Sequence, residues 1–230
     1  MTLLTPIDAV AQQDAVKAIG LHKQYHGGKR QAIDIGANIG NYSKQFIKYF
    51  DSVIAFEPNK DHNTILESIE NLTVHNVALS NANEQVDYYK FEMHSVNSIS
   101  LPTAKWHETK YGQKPESETV FTKCLDAFDT QPDLVKIDVE GLQHKVIQGA
   151  INTIKQHKPT MIIDSEVTGP KYLKFVETQK EADDKMDDFS LLFDLGYVNM
   201  TEQINVNKKS TDCFVHTSRI AEILVNSFDG

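Results

Sequence analysis

Between Gln31 and Glu57 the apolar pattern changes period twice. Ala32, Ile33 and Ile35 form a short apolar run, which predicts a strand buried in a sheet. Past Gly36 and Gly40, the positions Ile39, Ser43, Phe46, Ile47 and Phe50 recur at helical spacing and predict a helix with one face on that sheet. Val53 to Phe56 is a second apolar run closed by Glu57, and Pro58 biases Glu57 toward extended backbone. Strand, glycine turn, helix and strand make half of a mononucleotide-binding βαβ unit.

The rest of the chain extends the alternation. Ahead of the unit, residues 9–22 predict a covering helix, with Val10, Val16 and Leu21 among its apolar positions. Behind it, Asn59 or Asp61 starts a helix to about Ile69, and Leu72 to Asn76 is a third strand. Gln85 to Phe91 alternates imperfectly as an additional strand, Thr119 to Lys123 regains strand character, and Leu125 to Asp129 reads as a helical turn. Leu134 to Ile137 is a strand, followed by a helix with Leu142, Val146, Ile147, Ala150 and Ile154 near one side. Met161 to Ile163 continues the sheet, and Glu181 to Leu195 is a charged helix closed by Gly196. Tyr197 to Met200 and Asp212 to Thr217 are a closing strand pair, and Ile220, Leu224 and Phe228 mark a packing helix. The stretch 92–118 carries no clear period and reads as a substrate loop or lid.

Composition narrows the class without changing that outline. At 230 residues with 40% hydrophobic and 24% charged positions, the chain fits one α/β domain, 1–230, with residues 1–30 as a helical cover. No apolar run approaches the roughly 18–20 residues of a membrane span, and the first residues lack a secretory pattern, so the expected compartment is the cytoplasm. Cys124 and Cys213 stand apart without metal spacing and read as buried reduced thiols. The net charge of −9 repels polyanions, which argues against nucleic acid as a partner. The oligomeric state is not legible.

The chemistry concentrates at strand ends. In an open α/β sheet ligands bind outside the carboxyl ends of the strands, which here deliver Asp34, Glu57, Asp138 and Glu140. A carboxylate at Glu57 suits the two hydroxyls of a ribose. Asp34 favours a ligand with a cationic amine over a pyrophosphate. The dinucleotide fingerprint G-x-G-x-x-G requires a second glycine where Asn38 stands. Four acids on one rim need a cation, a proton or donors to offset them. Asp138 and Asp164 end neighbouring strands with Glu140 beside the first; a divalent metal there is weighed against acids that cap helices or bind a ligand amine, and the second reading is preferred.

The spacing D-x-G-x-N-x-G followed by F-E-P resembles the S-adenosylmethionine turn of class I methyltransferases. DIGANIG, FEP, HNVALS and KIDVEG with a following QGA, in this order, resemble the FkbM family over roughly Ala32 to Asp164, the middle stretch being divergent. The resemblance implies a three-layer Rossmann-like fold with a mostly parallel seven-stranded sheet and an antiparallel last strand. It implies S-adenosyl-L-methionine as cofactor and O-methylation of a small-molecule, sugar or glycan hydroxyl. Asp34, Gly36, Asn38, Gly40, Glu57, Asn76, Val77 and Asp138 would hold the donor, with Asn76 on the adenine amine and Val77 on its face. Asp138 and Glu140 would be catalytic, with Gly141 at the edge of the reaction site, and no metal is assigned. One departure is Gln143, where the family often has a second acid. His94, His107 and His144 are further proton acceptors, His144 reading as a surface or capping residue. The competing readings are a non-catalytic S-adenosylmethionine-binding module or degenerate homologue and, behind it, a nicotinamide-linked oxidoreductase.

Overall fold

A computed structural model of the chain describes residues 6–93, 96–164, 189–203 and 211–228. The predicted helix at 181–195 falls largely outside these residues, as do His94, residues 204–210 and the segment after Asp164. The first strand β1 (Gln31–Ile35), the second β2 (Ser52–Phe56) and the third β3 (Leu72–His75) pair in parallel, so the opening pattern folds as read. Two strands from later in the chain, β7 (Leu134–Ile137) and β8 (Thr160–Asp164), extend the sheet on the far side of β1. The strand order is β3-β2-β1-β7-β8-β10-β9, where β9 is Tyr197–Asn199 and β10 is Thr211–His216. Strand β10 runs antiparallel to both of its neighbours. The sheet is therefore seven-stranded and mostly parallel, with the last strand reversed. Its order turns around between β1 and β7, which opens a crevice at their carboxyl ends.

Alternation along β1 and β7 assigns the two faces. Ile33, Ile35, Val135 and Ile137 pack with Val146, Ile147 and Ile154 from helices α5 (Gln143–Gln148) and α6 (Ile151–His157). Ala32 and Leu134 pack the other way, with Ala15, Ala18, Phe46 and Phe50. That second layer holds the leading helix α1 (Pro6–Tyr25) and the short α2 (Ser43–Phe46). The next helix, α3 (Lys60–Glu67), begins at Asn59, whose side chain accepts the Asp61 N–H at 3.0 Å.

Several elements differ from the pattern's expectation, each for a physical reason. The single helix expected across 142–154 breaks after Gln148, where Gly149 lies so close to the Ser80 carbonyl that a side chain would collide with it. Val10 and Val16 face outward, while Ala15, Ala18, Ile19 and Leu21 are buried, so α1 docks through those four residues rather than through its valines. The 92–118 stretch contains an eleven-residue helix α4 (Leu101–Tyr111), capped by Ser100 through the Thr103 N–H and stopped by Gly112 at φ +67°. Strands β4 (Ala78–Leu79), β5 (Gln85–Lys90) and β6 (Glu116–Lys123) form a separate sheet in the order β4-β6-β5. Cys213 is buried, whereas Cys124 is half-buried.

At the opposite, amino end of the strands, α1 is fastened by polar contacts. His22 bridges the Thr160 hydroxyl at 3.0 Å and the Gly28 carbonyl at 2.6 Å, and stacks on His26. Asp133 accepts the Arg30 N–H at 2.8 Å and its guanidinium at 2.6 Å. Burial holds His22 below its ordinary value and brings His26 down to about 4. Asp133 opposes these shifts, while Arg219, Lys23 and Arg30 nearby add to them. A histidine lowered on folding binds fewer protons folded than unfolded, so its stabilisation is complete above about pH 6.5 and declines toward its folded value. The urea midpoint is therefore expected to be lower at about pH 5 than at about pH 7.5, and replacing both histidines (His22→Gln, His26→Asn) should reduce that difference. Equal midpoints for the unaltered chain at both pH values would contradict this account.

Candidate active site

The parallel register sets Asp34 of β1 directly beside Lys136 of β7. Both point to the face shared with Ala32 and Leu134, since side chains two apart share a face. Asp34 is wholly covered, and Lys136 is 5% exposed. Asp34 Oδ1 stands 3.0 Å from Lys136 Nζ. Its Oδ2 accepts the Ser43 N–H at 3.0 Å and the Ser43 hydroxyl at 2.6 Å. Lys136 also donates to the Gly36 carbonyl at 2.7 Å and the Ile35 carbonyl at 3.3 Å. Burial pulls Lys136 toward the neutral form, but Asp34 and then Asp138 outweigh it, so the ammonium is held above its ordinary value and stays charged.

Here is the offset that the acid-rich rim requires, and the sequence reading did not assign it. Its signal was a single lysine inside the apolar run Leu134 to Ile137. The expectation that Asp34 meets a ligand amine encounters a carboxylate whose oxygens already face Ser43 and Lys136.

The turn after β1 is gripped from two sides. Gly36 has φ +72°, and a Cβ there would run into the Asp138 carbonyl oxygen, so only glycine lets the two loops touch. Asn38 takes φ +51°, and its N–H donates to Glu57 Oε2 at 2.8 Å. Glu57 Oε1 accepts the Asn59 N–H at 2.9 Å, and the residue is 4% exposed. Each oxygen keeps a further lone pair for a ligand hydroxyl. Asn38 Oδ1 is buried without a hydrogen-bond partner, a polar atom left open within this turn. Asn76 donates to the carbonyls of Glu57 at 3.0 Å and Pro58 at 2.9 Å, tying the end of β3 to the end of β2; Val77 beside it is buried.

The second loop presents the other acids. Asp138 follows β7, its side chain 28% exposed and 3.9 Å from Lys136 Nζ. Glu140 has φ +51°, its carbonyl accepts the Ser98 hydroxyl at 2.7 Å, and its carboxylate lies 3.7 Å from His107 Nε2. Gln143 donates to the Asp164 carbonyl at 2.6 Å. His144, expected at the surface, is 7% exposed. Among the described residues, no group of three or more His, Cys, Asp or Glu side chains is placed to hold a metal ion. No helix among them is long and apolar enough to cross a membrane. The structure thus brings Gly36, Asn38, Glu57, Asn76 and Val77 together around the ends of β1, β2 and β3, with Asp34 buried beneath them, and places Asp138 and Glu140 after the adjoining end of β7.

Residues 34–198 match the sequence model of the methyltransferase FkbM domain. No curated protein matches the chain. Among solved structures, a methyltransferase FkbM from Methylobacillus flagellatus KT aligns with a TM-score of 0.50 at 16% identity, covering 92% of this chain. This chain spans 58% of that one. A caffeoyl-CoA O-methyltransferase, so assigned provisionally, from Staphylococcus aureus aligns at 0.45 and 13% identity, covering 93% of this chain and 84% of its own. CalS10, an S-adenosylmethionine-bound amino pentose methyltransferase from Micromonospora echinaspora, aligns at 0.38 and 9%, covering 71% and 58%. At 16% identity the likeness to the Methylobacillus flagellatus structure is one of fold.

Two substitutions test the site's construction. Lys136→Met leaves Asp34 buried without its cation and should cost about 3–5 kcal/mol of unfolding free energy. Gly36→Ala should cost at least about 1 kcal/mol, because alanine disfavours this backbone even before the collision with Asp138. Urea unfolding of each purified variant measures both; unchanged stability in either would refute the corresponding contact.

Proposed function

The chain belongs to the FkbM methyltransferase domain family, and from that premise we propose that it transfers a methyl group from S-adenosylmethionine to a hydroxyl of a small molecule, sugar or glycan. The observation that carries this reading is Glu57, buried at the end of β2 and fixed by the Asn38 and Asn59 N–H groups beside a glycine turn at the sheet's switch point. A carboxylate so fixed offers its remaining lone pairs to a vicinal diol without first reorganising. The open Asn38 Oδ1 supports a polar ligand in the same turn.

When bound, the donor supplies a methyl group already activated for in-line displacement. The protein's tasks are then to hold, to orient and to take a proton. Gly36, Asn38 and Gly40 shape the turn against the donor, Glu57 takes the ribose, and Asn76 and Val77 frame the adenine. Asp34 serves from behind, by fixing Ser43 and Lys136. Asp138 is the acid of this end that reaches the crevice, beside the charged Lys136, and suits the donor's amino-acid portion. Glu140 is the group placed to receive the acceptor's proton. On this proposal the enzyme acts in the cytoplasm, without a metal and without a nucleic-acid partner.

Calorimetry tests the donor assignment. S-adenosylmethionine and S-adenosylhomocysteine are expected to bind and NAD not to bind. Glu57→Ala should weaken the adenosyl ligands at least about tenfold, the worth of one charge-assisted hydrogen bond. Preferential NAD binding, or full affinity in the variant, would overturn it. Incubation with S-adenosylmethionine and a panel of sugars, glycans and small hydroxylated molecules should yield a methylated product by mass spectrometry; binding without any product would favour the sensor reading.

A further inference from the structure

The segment from Val96 to Gly112 reaches across the molecule to the loop after β7. Ser98 is pinned there: it exchanges backbone hydrogen bonds with Tyr89 at 2.8 and 3.1 Å, accepts the Ser100 N–H on its hydroxyl, and donates that hydroxyl to the Glu140 carbonyl. Glu140, in left-handed backbone, is thereby held with its side chain turned toward α4. His107 on α4 is 1% exposed and enclosed by the rings of Phe91, Trp106 and Tyr111. Its Nδ1 lies 2.9 Å from the Val96 carbonyl. A carbonyl oxygen only accepts, so Nδ1 carries a proton, and in the neutral ring Nε2 then carries the lone pair. That lone pair faces Glu140 Oε2 at 3.7 Å, beyond hydrogen-bond range. Two acceptors with no proton between them stay apart.

We propose that Glu140 and His107 form a proton-accepting pair at the methyl-acceptor side of the crevice, Glu140 receiving the hydroxyl proton and His107 positioning it. This rests on the methyl-transfer reading above. Transfer to a hydroxyl forms a C–O bond, returns the C–S electron pair to sulfur and releases the hydroxyl proton. Glu140 takes that proton as the O–H bond breaks, and the resulting carboxyl O–H donates to His107 Nε2. The sulfonium's positive charge thus ends as one proton held between two side chains. His107 must be neutral to receive it. Burial keeps it so, with Lys110 adding to the effect and the Val96 carbonyl opposing it, and brings its value down to about 4. Glu140 and Lys110 are the charged groups facing the ring among the described residues. On this reading α4 completes the reaction site rather than merely covering it.

Nitrogen NMR of the histidine rings tests the pair without an acceptor substrate. At about pH 7 the His107 ring should show the neutral tautomer protonated on Nδ1. Glu140→Gln places an amide donor where the protonated carboxyl would be, so the Nε2 resonance should shift upfield, as a nitrogen accepting a hydrogen bond does. Glu140→Asp, too short to reach, should leave it in place. In the unaltered protein, lowering the pH should move Nε2 together with the Glu140 carboxyl carbon, the behaviour of coupled sites. A ring protonated on Nε2, or an Nε2 signal indifferent both to Glu140→Gln and to the carboxyl titration, would overturn the proposal. Calorimetry with S-adenosylhomocysteine on the same protein reads the methyl-transfer premise separately.

Discussion

A positive charge buried beneath the crevice is the constraint on which the remaining geometry depends. Strand ends at the switch point bring acids together, and carboxylates removed from water repel one another unless a cation stands among them. Lys136 is that cation. It lies beside Asp34 by sheet register, is held charged by Asp34 and Asp138, and has its other donors on the carbonyls of the turn. The pair therefore does more than neutralise. It ties β7 to the backbone of the glycine turn, while the far oxygen of Asp34 ties the same turn to Ser43. With Gly36 pressed on the Asp138 carbonyl and Asn38 bound to Glu57, the turn is fixed from three directions before any ligand arrives.

Much of this was readable from residue order. Short apolar runs located β1, β2, β7 and β8, because a strand covered on both faces has little room for polar positions. Gly36 and Gly40 marked the turn that follows β1, and both take positive φ there. Lys136 escaped because periodicity treats a lone lysine within an apolar run as an exception, and only register shows that it faces Asp34. Helix α4 escaped because two of its three buried residues, Thr103 and His107, are polar, so the face they share with Ala104 leaves no apolar period to read. Its boundaries were nonetheless written in Ser100, Pro102 and Gly112. The second sheet joins segments some thirty residues apart, Gln85 opposite Phe121, a pairing that local pattern does not encode.

The loop after β7 shows the same economy of contacts. Gln143 stands where the family resemblance led to an expected acid, and its amide donates to the Asp164 carbonyl. A carboxyl could donate there only when protonated, so glutamine secures the end of β8 whatever the state of the acids nearby. Ser98 fixes Glu140 by its backbone and leaves its carboxylate toward His107. The side chains of Asp138 and Glu140 both stay partly exposed, at 28% and 15%.

The central claim is that the Asp34–Lys136 pair preorganises the donor turn, and a double-mutant cycle read on S-adenosylhomocysteine affinity tests it most directly. Calorimetry would compare Asp34→Asn, Lys136→Met and the two combined. If the side chains act as a unit, each single change weakens binding and the combined change costs less than their sum by at least about 1 kcal/mol. Losses that simply add would contradict the account, because they would mean that neither residue needs the other to shape the site.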